Sequence, residues 1–246
     1  MRIYTDTRKQ KKFIDSFWKE GKKVLYQTAL PVIELSDQVP VNELKQRVNS
    51  LLKPDRMTDY VEELWVNTGS WFAYEMVNNV KRKALGDAEN WERMFRAYMA
   101  DRSKKLAGAM LDTEAQLIND LLDQIVAEGT ASGASIQRLT GAMKDQFIDN
   151  LITIQNYEAE RIARTEVIGA SNKGSFDGAM STGLPMKKGW STSGLSGIRP
   201  SHLLYESWGW MSMEKEFAPG LKHPGDPNGE AGEIINCRCT IIYDVD

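Results

Sequence analysis

After "LKPDR" the apolar positions return every three or four residues: Met57, Tyr60, Val61, Leu64, Trp65, Trp71, Phe72, Met76 and Val80. That spacing draws a single buried stripe along a helix. Gly69 interrupts the stripe and predicts a bend, while Pro31, Pro40 and Pro54 predict element boundaries further upstream. A second helix is expected to begin at Thr113, because Thr113 and Gln116 have the spacing of a capping box. Leu117, Ile118, Leu121, Leu122, Ile125 and Val126 form its apolar face, and Gly129 is the expected stop. Beyond the "GTASG" connector, Ile136, Leu139, Met143, Phe147 and Leu151 share one side of another helix, and "AERIARTEVIGASNKG" reads as the next. From about residue 174 long periodicity ends, Gly, Ser and Pro become frequent, and tryptophans stand at 190, 208 and 210. "KKGWSTS" and the β-branched "CRCTIIYDV" predict strands. The fold class is α+β: a long, mostly helical N-terminal part, then a compact α+β C-terminal module with a few short strands. The expected division is 1–110, helical and of unknown role, and 111–246.

Composition narrows the class. With 41% apolar and 26% charged residues, the 246-residue chain has the balance of a globular protein. No apolar run is long enough for a bilayer, and "MRIYTDTRKQKKFIDSF" lacks an apolar signal core, so no membrane partner is expected. The expected place is a cytoplasm or an assembly built there. The net charge of −3 hides an asymmetry. Residues 1–110 hold 20 Lys/Arg against 15 Asp/Glu, and residues 111–246 hold 11 against 19. Eight of the basic residues fall in the first 23. Such an arm can contact DNA non-specifically or dock on an acidic surface. It can equally be the solvated face of an amphipathic helix, because Phe13, Phe17, Trp18, Val24 and Leu25 interleave with it.

The chemistry gathers at the C-terminal end. There is no Gly-rich phosphate loop, no HExxH, no GxSxG, no Rossmann fingerprint and no pair of CxxC motifs. The only two cysteines, Cys237 and Cys239, are one residue apart, and the only two histidines, His202 and His223, precede them. In a strand, positions i and i+2 share a face roughly 7 Å apart. A disulfide needs Cβ atoms about 3.8 Å apart, so a bond between the two is not expected. With His202 and His223 the sulfurs make a sufficient Cys2His2 set for zinc. Inert packing and a reactive thiol activated by a histidine are the alternatives. "ERIARTEV" sets Arg161, Arg164 and Glu166 on one helix with Glu160 four before Arg164, which reads as an ordinary i,i+4 salt-bridged face or as a polar edge that docks the "RPSH" segment with Arg199 and His202. "HPGDPNG" is a shaped turn, with Pro224, Gly225, Asp226 and Pro227 supplying turn chemistry.

Taken in order, "RIARTEV", "ASNKG", "KKGWSTS", "IRPSH", "HPGDP" and "INCRCT" resemble the phage Mu F-type minor head proteins, also called phage head morphogenesis proteins. The resemblance runs from about residue 110 to the C-terminus. Its matching positions are Arg164, Thr165, Glu166, Asn172, Trp190, Arg199, His202, Pro224, Gly225, Asp226, Asn236, Cys237, Arg238 and Cys239. One departure is "GLSGIRPSH", which lacks the acidic and second basic residue often found before that segment. The resemblance implies a virion component inside the head, assembled in the host cytoplasm, with portal protein, scaffold or major capsid protein as partners. It implies no catalytic activity and no required cofactor. The alternative from the residues alone is a phage-delivered effector, or a metal- or thiol-dependent enzyme using the Cys/His cluster. Because the chain stops soon after "IIY", no further C-terminal domain is expected.

Overall fold

The computed structural model describes residues 2–81, 88–131, 137–192, 194 and 196–245. The fold is α+β. In chain order the elements are β1 (Arg2–Tyr4), α1 (Thr7–Leu35), α2 (Val41–Leu51), α3 (Asp55–Lys81), α4 (Ala88–Met99), α5 (Arg102–Ala131) and α6 (Ala142–Ser181). β2 (Met186–Ser191), α7 (Pro200–Ser207), β3 (Met211–Ser212), α8 (Ala231–Ile234) and β4 (Thr240–Val245) complete it. No helix among the described residues is long and apolar enough to cross a membrane.

Two compact units interleave along the chain. One comprises residues 1–18, 62–100 and 161–246, the other 19–61 and 101–160. The boundary expected at residue 110 falls inside α5, and neither unit is a continuous stretch. Helices α1, α3 and α6 each supply residues to both units.

The second unit is all helical. Ala29, Val32 and Ile33 of α1, Leu44 and Val48 of α2, Ile118, Leu122 and Ile125 of α5, and Phe147 and Leu151 of α6 form its core. Pro31 lies inside α1 instead of ending it. A proline removes one ladder hydrogen bond, and the buried residues on both sides of it hold the helix together. Nor does α5 begin at Thr113. The Thr113 hydroxyl donates backwards to the Ala109 carbonyl (3.1 Å) from the middle of the helix. The helix continues through the expected stop at Gly129 and is described as far as Ala131. Ile136 lies outside the described residues. The two helices expected after it form one 40-residue helix, α6. One carboxyl is sealed in this unit: Gln155 Nε2 donates to Glu114 Oε1 (2.6 Å) and to the Leu25 carbonyl (3.2 Å). Burial raises the Glu114 carboxyl to about 7.

The first unit carries the sheet, in order β1-β4-β2-β3, with every pairing antiparallel. The N-terminal strand β1 was not foreseen, because the segment is too short to show a period. Ile3 pairs with Tyr243, and Lys188 and Trp190 of β2 pair with Tyr243 and Ile241. These residues share one face, and Ile3, Ile241 and Tyr243 bury it against Met76 of α3 and Ala179 of α6. Gly69 does not bend α3, which is unbroken. A side chain at Gly174 would meet the Gly69 carbonyl and the Ala73 amide, so these glycines permit α6 to lie close on α3.

Candidate functional site

His202 and Tyr205 form the buried face of α7, whose first residue is Pro200. The His202 ring lies 4.9 Å from that of Trp190 on β2, and Tyr205 packs 5.1 Å from the same indole. Cys237 and Cys239 stand just before β4, not within it, where the chain leaves α8 through a turn. Asn236 makes that turn with φ of 59°, a left-handed conformation asparagine tolerates better than most residues. Both cysteines are buried and free, while Arg238 between them is exposed.

His202 Nδ1 is 3.4 Å from Cys239 Sγ and 3.8 Å from Cys237 Sγ. The Cys239 amide donates to Cys237 Sγ at 3.4 Å. On its other side, His202 Nε2 approaches Glu233 Oε2 at 3.0 Å, without the alignment of a full hydrogen bond. Ser201 Oγ donates to the same carboxylate oxygen (3.0 Å). The thiols divide their roles. Cys239 is pushed down to about 5, first because the Cys237 thiol donates to it and then through His202, both against burial. Cys237 is raised, by that donation to Cys239 and by burial. A cavity of about 140 Å³ reaches the three residues, walled by residues 196–199 and by Asn236 and Arg238.

His223 is not part of this group. The three residues whose ligand atoms converge are His202, Cys237 and Cys239, so the expected four-residue set is corrected to three. His223 is held in its own turn. Its Nδ1 lies 3.2 Å from the Pro224 carbonyl, which can only accept, so that nitrogen carries the proton. Its Nε2 is 3.7 Å from Asp226 Oδ2, and burial lowers its affinity for a second proton. Asp226 organises "HPGDPNG" by accepting from the Lys222 amide (3.1 Å) and from the Asn228 amide (3.1 Å) and side chain (3.0 Å). Gly225 has φ of 70°, and its carbonyl lies where a side chain at Gly169 of α6 would stand.

The remaining motif residues tie α6 to these segments. Asn172 is fully buried; its Nδ2 donates to the Pro224 carbonyl (3.0 Å) and the Cys239 carbonyl (3.1 Å), and its Oδ1 accepts from the Ile241 amide (3.0 Å). Arg164 donates to Asn236 Oδ1 (2.5 Å), and Thr165 Oγ1 accepts from the Asn236 amide (2.9 Å). Arg199 donates to the Ile235 carbonyl (2.6 Å). Through Arg164 and Thr165 the polar edge of α6 docks the turn ahead of the cysteines. Glu166 turns away and accepts from Trp65 Nε1 (2.8 Å).

Two participants had no signal in the sequence. Glu233 reaches His202 from a four-residue helix with no periodicity. Lys188 looks like one of two surface lysines, yet it is buried on the sheet's inner face. Its Nζ donates to the Lys222 carbonyl (2.7 Å) above the rings of Phe176 and Phe217, and burial lowers its pKa to about 8. The chain matches no protein-family model, no curated protein and no solved structure.

Proposed function

We propose that the chain is a minor head protein of a tailed phage or prophage that acts in head assembly at the portal vertex. What supports this is the ordered set of motifs together with what their residues do. Positions spread from Arg164 to Cys239 converge on one network, and the observation that carries most weight is Asn172, a single buried amide bonded to both the "HPGDP" turn and the "CRC" segment. A set of residues whose shared task is to lock three segments together suits an assembly module better than a catalytic one.

Its partners would be the portal protein, scaffold or major capsid protein, and its place the interior of the head. Arg8, Lys11, Lys12, Lys19 and Lys23 are exposed along the start of α1, and they are the residues proposed to touch packaged DNA. Such contact would weaken steeply with salt. Quantitative mass spectrometry of purified particles and of empty proheads from producing cells tests the proposal. A few copies per particle, present before DNA enters, are expected; absence from both particles overturns it. The cavity over His202, Cys237 and Cys239 favours a second reading, a metal- or thiol-dependent activity. Toxicity on expression in bacteria that is lost in Cys237→Ser would support that one.

A further inference from the structure

We propose that His202, Cys237 and Cys239 form a three-ligand centre for zinc or a similar divalent ion, with its fourth position open to the arginine-walled cavity and taken by a phosphate group. This goes beyond the head-protein reading and does not depend on it.

The distances are those of a coordination polyhedron. With Zn–S of about 2.3 Å and Zn–N of about 2.0–2.1 Å, a tetrahedral site has S···N edges of about 3.6 Å. The two observed edges are 3.4 and 3.8 Å, and all three ligand atoms lie within 4.8 Å of one another. Both sulfurs face the same Nδ1, so one divalent ion among them would be met by all three donors, and two thiolates with one imidazole are a donor set that suits zinc.

The surroundings are also those of a ligand set. Metal-binding histidines commonly present the other ring nitrogen to a carboxylate, and Glu233 stands 3.0 Å from Nε2, itself held by Ser201. The Cys239 amide points at Cys237 Sγ, where it would help to disperse thiolate charge. A closed structural site needs a fourth protein ligand, and none joins the group among the described residues. The remaining position faces the cavity, where Arg199 and Arg238 supply two positive charges and no carboxylate contributes to the described lining. Two thiolates neutralise a divalent ion and the Glu233 carboxylate lies behind the His202 ring, so the charge lining the cavity itself is that of those arginines. A doubly acceptor-rich anion of phosphate type fits that field.

The test uses the full chain loaded with cobalt(II) as a spectroscopic stand-in. One ion per chain is expected, with a thiolate-to-cobalt charge-transfer band of two-sulfur intensity and ligand-field bands of tetrahedral strength. Cys237→Ser and Cys239→Ser should each halve the charge-transfer band, and Glu233→Gln should weaken binding by about tenfold to a hundredfold. His223→Gln should leave it unchanged. Inorganic phosphate should shift the ligand-field bands, and Arg238→Gln, at an exposed position, should abolish that shift while cobalt stays bound. A short single-stranded oligonucleotide acting at lower concentration than phosphate identifies a nucleic-acid phosphodiester as the source; the reverse order identifies free phosphate. No cobalt uptake by the wild-type chain, or loss of uptake in a folded His223→Gln, overturns the three-ligand centre. Cobalt bound with a spectrum that neither anion shifts overturns the open position.

Discussion

Replacing Asn172 by alanine is the sharpest perturbation of the proposed assembly module. The side chain is fully buried and makes three hydrogen bonds, so the truncation strands the Pro224 and Cys239 carbonyls and the Ile241 amide together. A buried polar group left without its partner loses about 1–3 kcal/mol. Partial relaxation of three neighbours leaves an expected loss of about 3–5 kcal/mol. Asn172→Asp separates hydrogen bonding from packing, because its volume is unchanged. The carboxylate would face two carbonyl oxygens, and only its protonated form could donate to one of them. Its pKa in the folded protein must then exceed the unfolded value of about 3.9. The folded state would hold the proton over a range where the unfolded state has lost it, so stability falls as pH rises through that range. All seven tryptophans lie in the unit that contains Asn172, so urea unfolding followed by tryptophan fluorescence reports on that unit. Far-UV ellipticity follows the helices of both. The expected result is an earlier fluorescence transition in Asn172→Ala, and in Asn172→Asp a loss that grows from pH 4 to pH 7. A shift worth less than about 1 kcal/mol in the alanine variant, or an aspartate variant with no added pH dependence, would refute the argument.

Other outcomes follow from single positions. Glu114 is raised from 4.5 to about 7 by burial, so the folded chain binds the extra proton and stability should fall between those pH values. Glu114→Gln should remove that slope and gain about 3 kcal/mol at pH 8, read as the ellipticity midpoint in urea; an unchanged slope would assign it to another group. Gly174→Ala drives a methyl group into the Gly69 carbonyl and should cost about 1–3 kcal/mol by fluorescence-monitored unfolding. Gly108→Ala meets nothing within 4 Å on α5 and should gain about 0.5–1 kcal/mol. Equal effects from these two substitutions would show that helix propensity and not close packing governs Gly174.

What the sequence made legible is what repeats locally. The stripe from Met57 to Val80 needs only the helical period, and α3 carries it unbroken. Strands β2 and β4 were visible where the long periodicity ends, β4 through its β-branched residues. The misreadings come from places where a local cue met a longer element. Thr113 has cap spacing, but α5 was already under way, and Gly69 lies where another helix approaches, so its missing side chain serves packing and not a bend. The site followed the same rule. Cys237, Cys239 and His202 stood out because their residue types are rare in this chain, and the structure brings their ligand atoms together. His223 was grouped with them on rarity alone, whereas its turn holds it against Asp226. Glu233 is the opposite case: one of many carboxylates, it gains meaning only from α8 bringing it to His202 Nε2. Rarity marks a ligand in a sequence, while the residue that orients the ligand is common and becomes visible only through the fold. The proposed centre is therefore tested best at both kinds of position, because loss of a sulfur also disturbs a packed core, whereas in a metal site a change at Glu233 would lower metal affinity without removing a ligand.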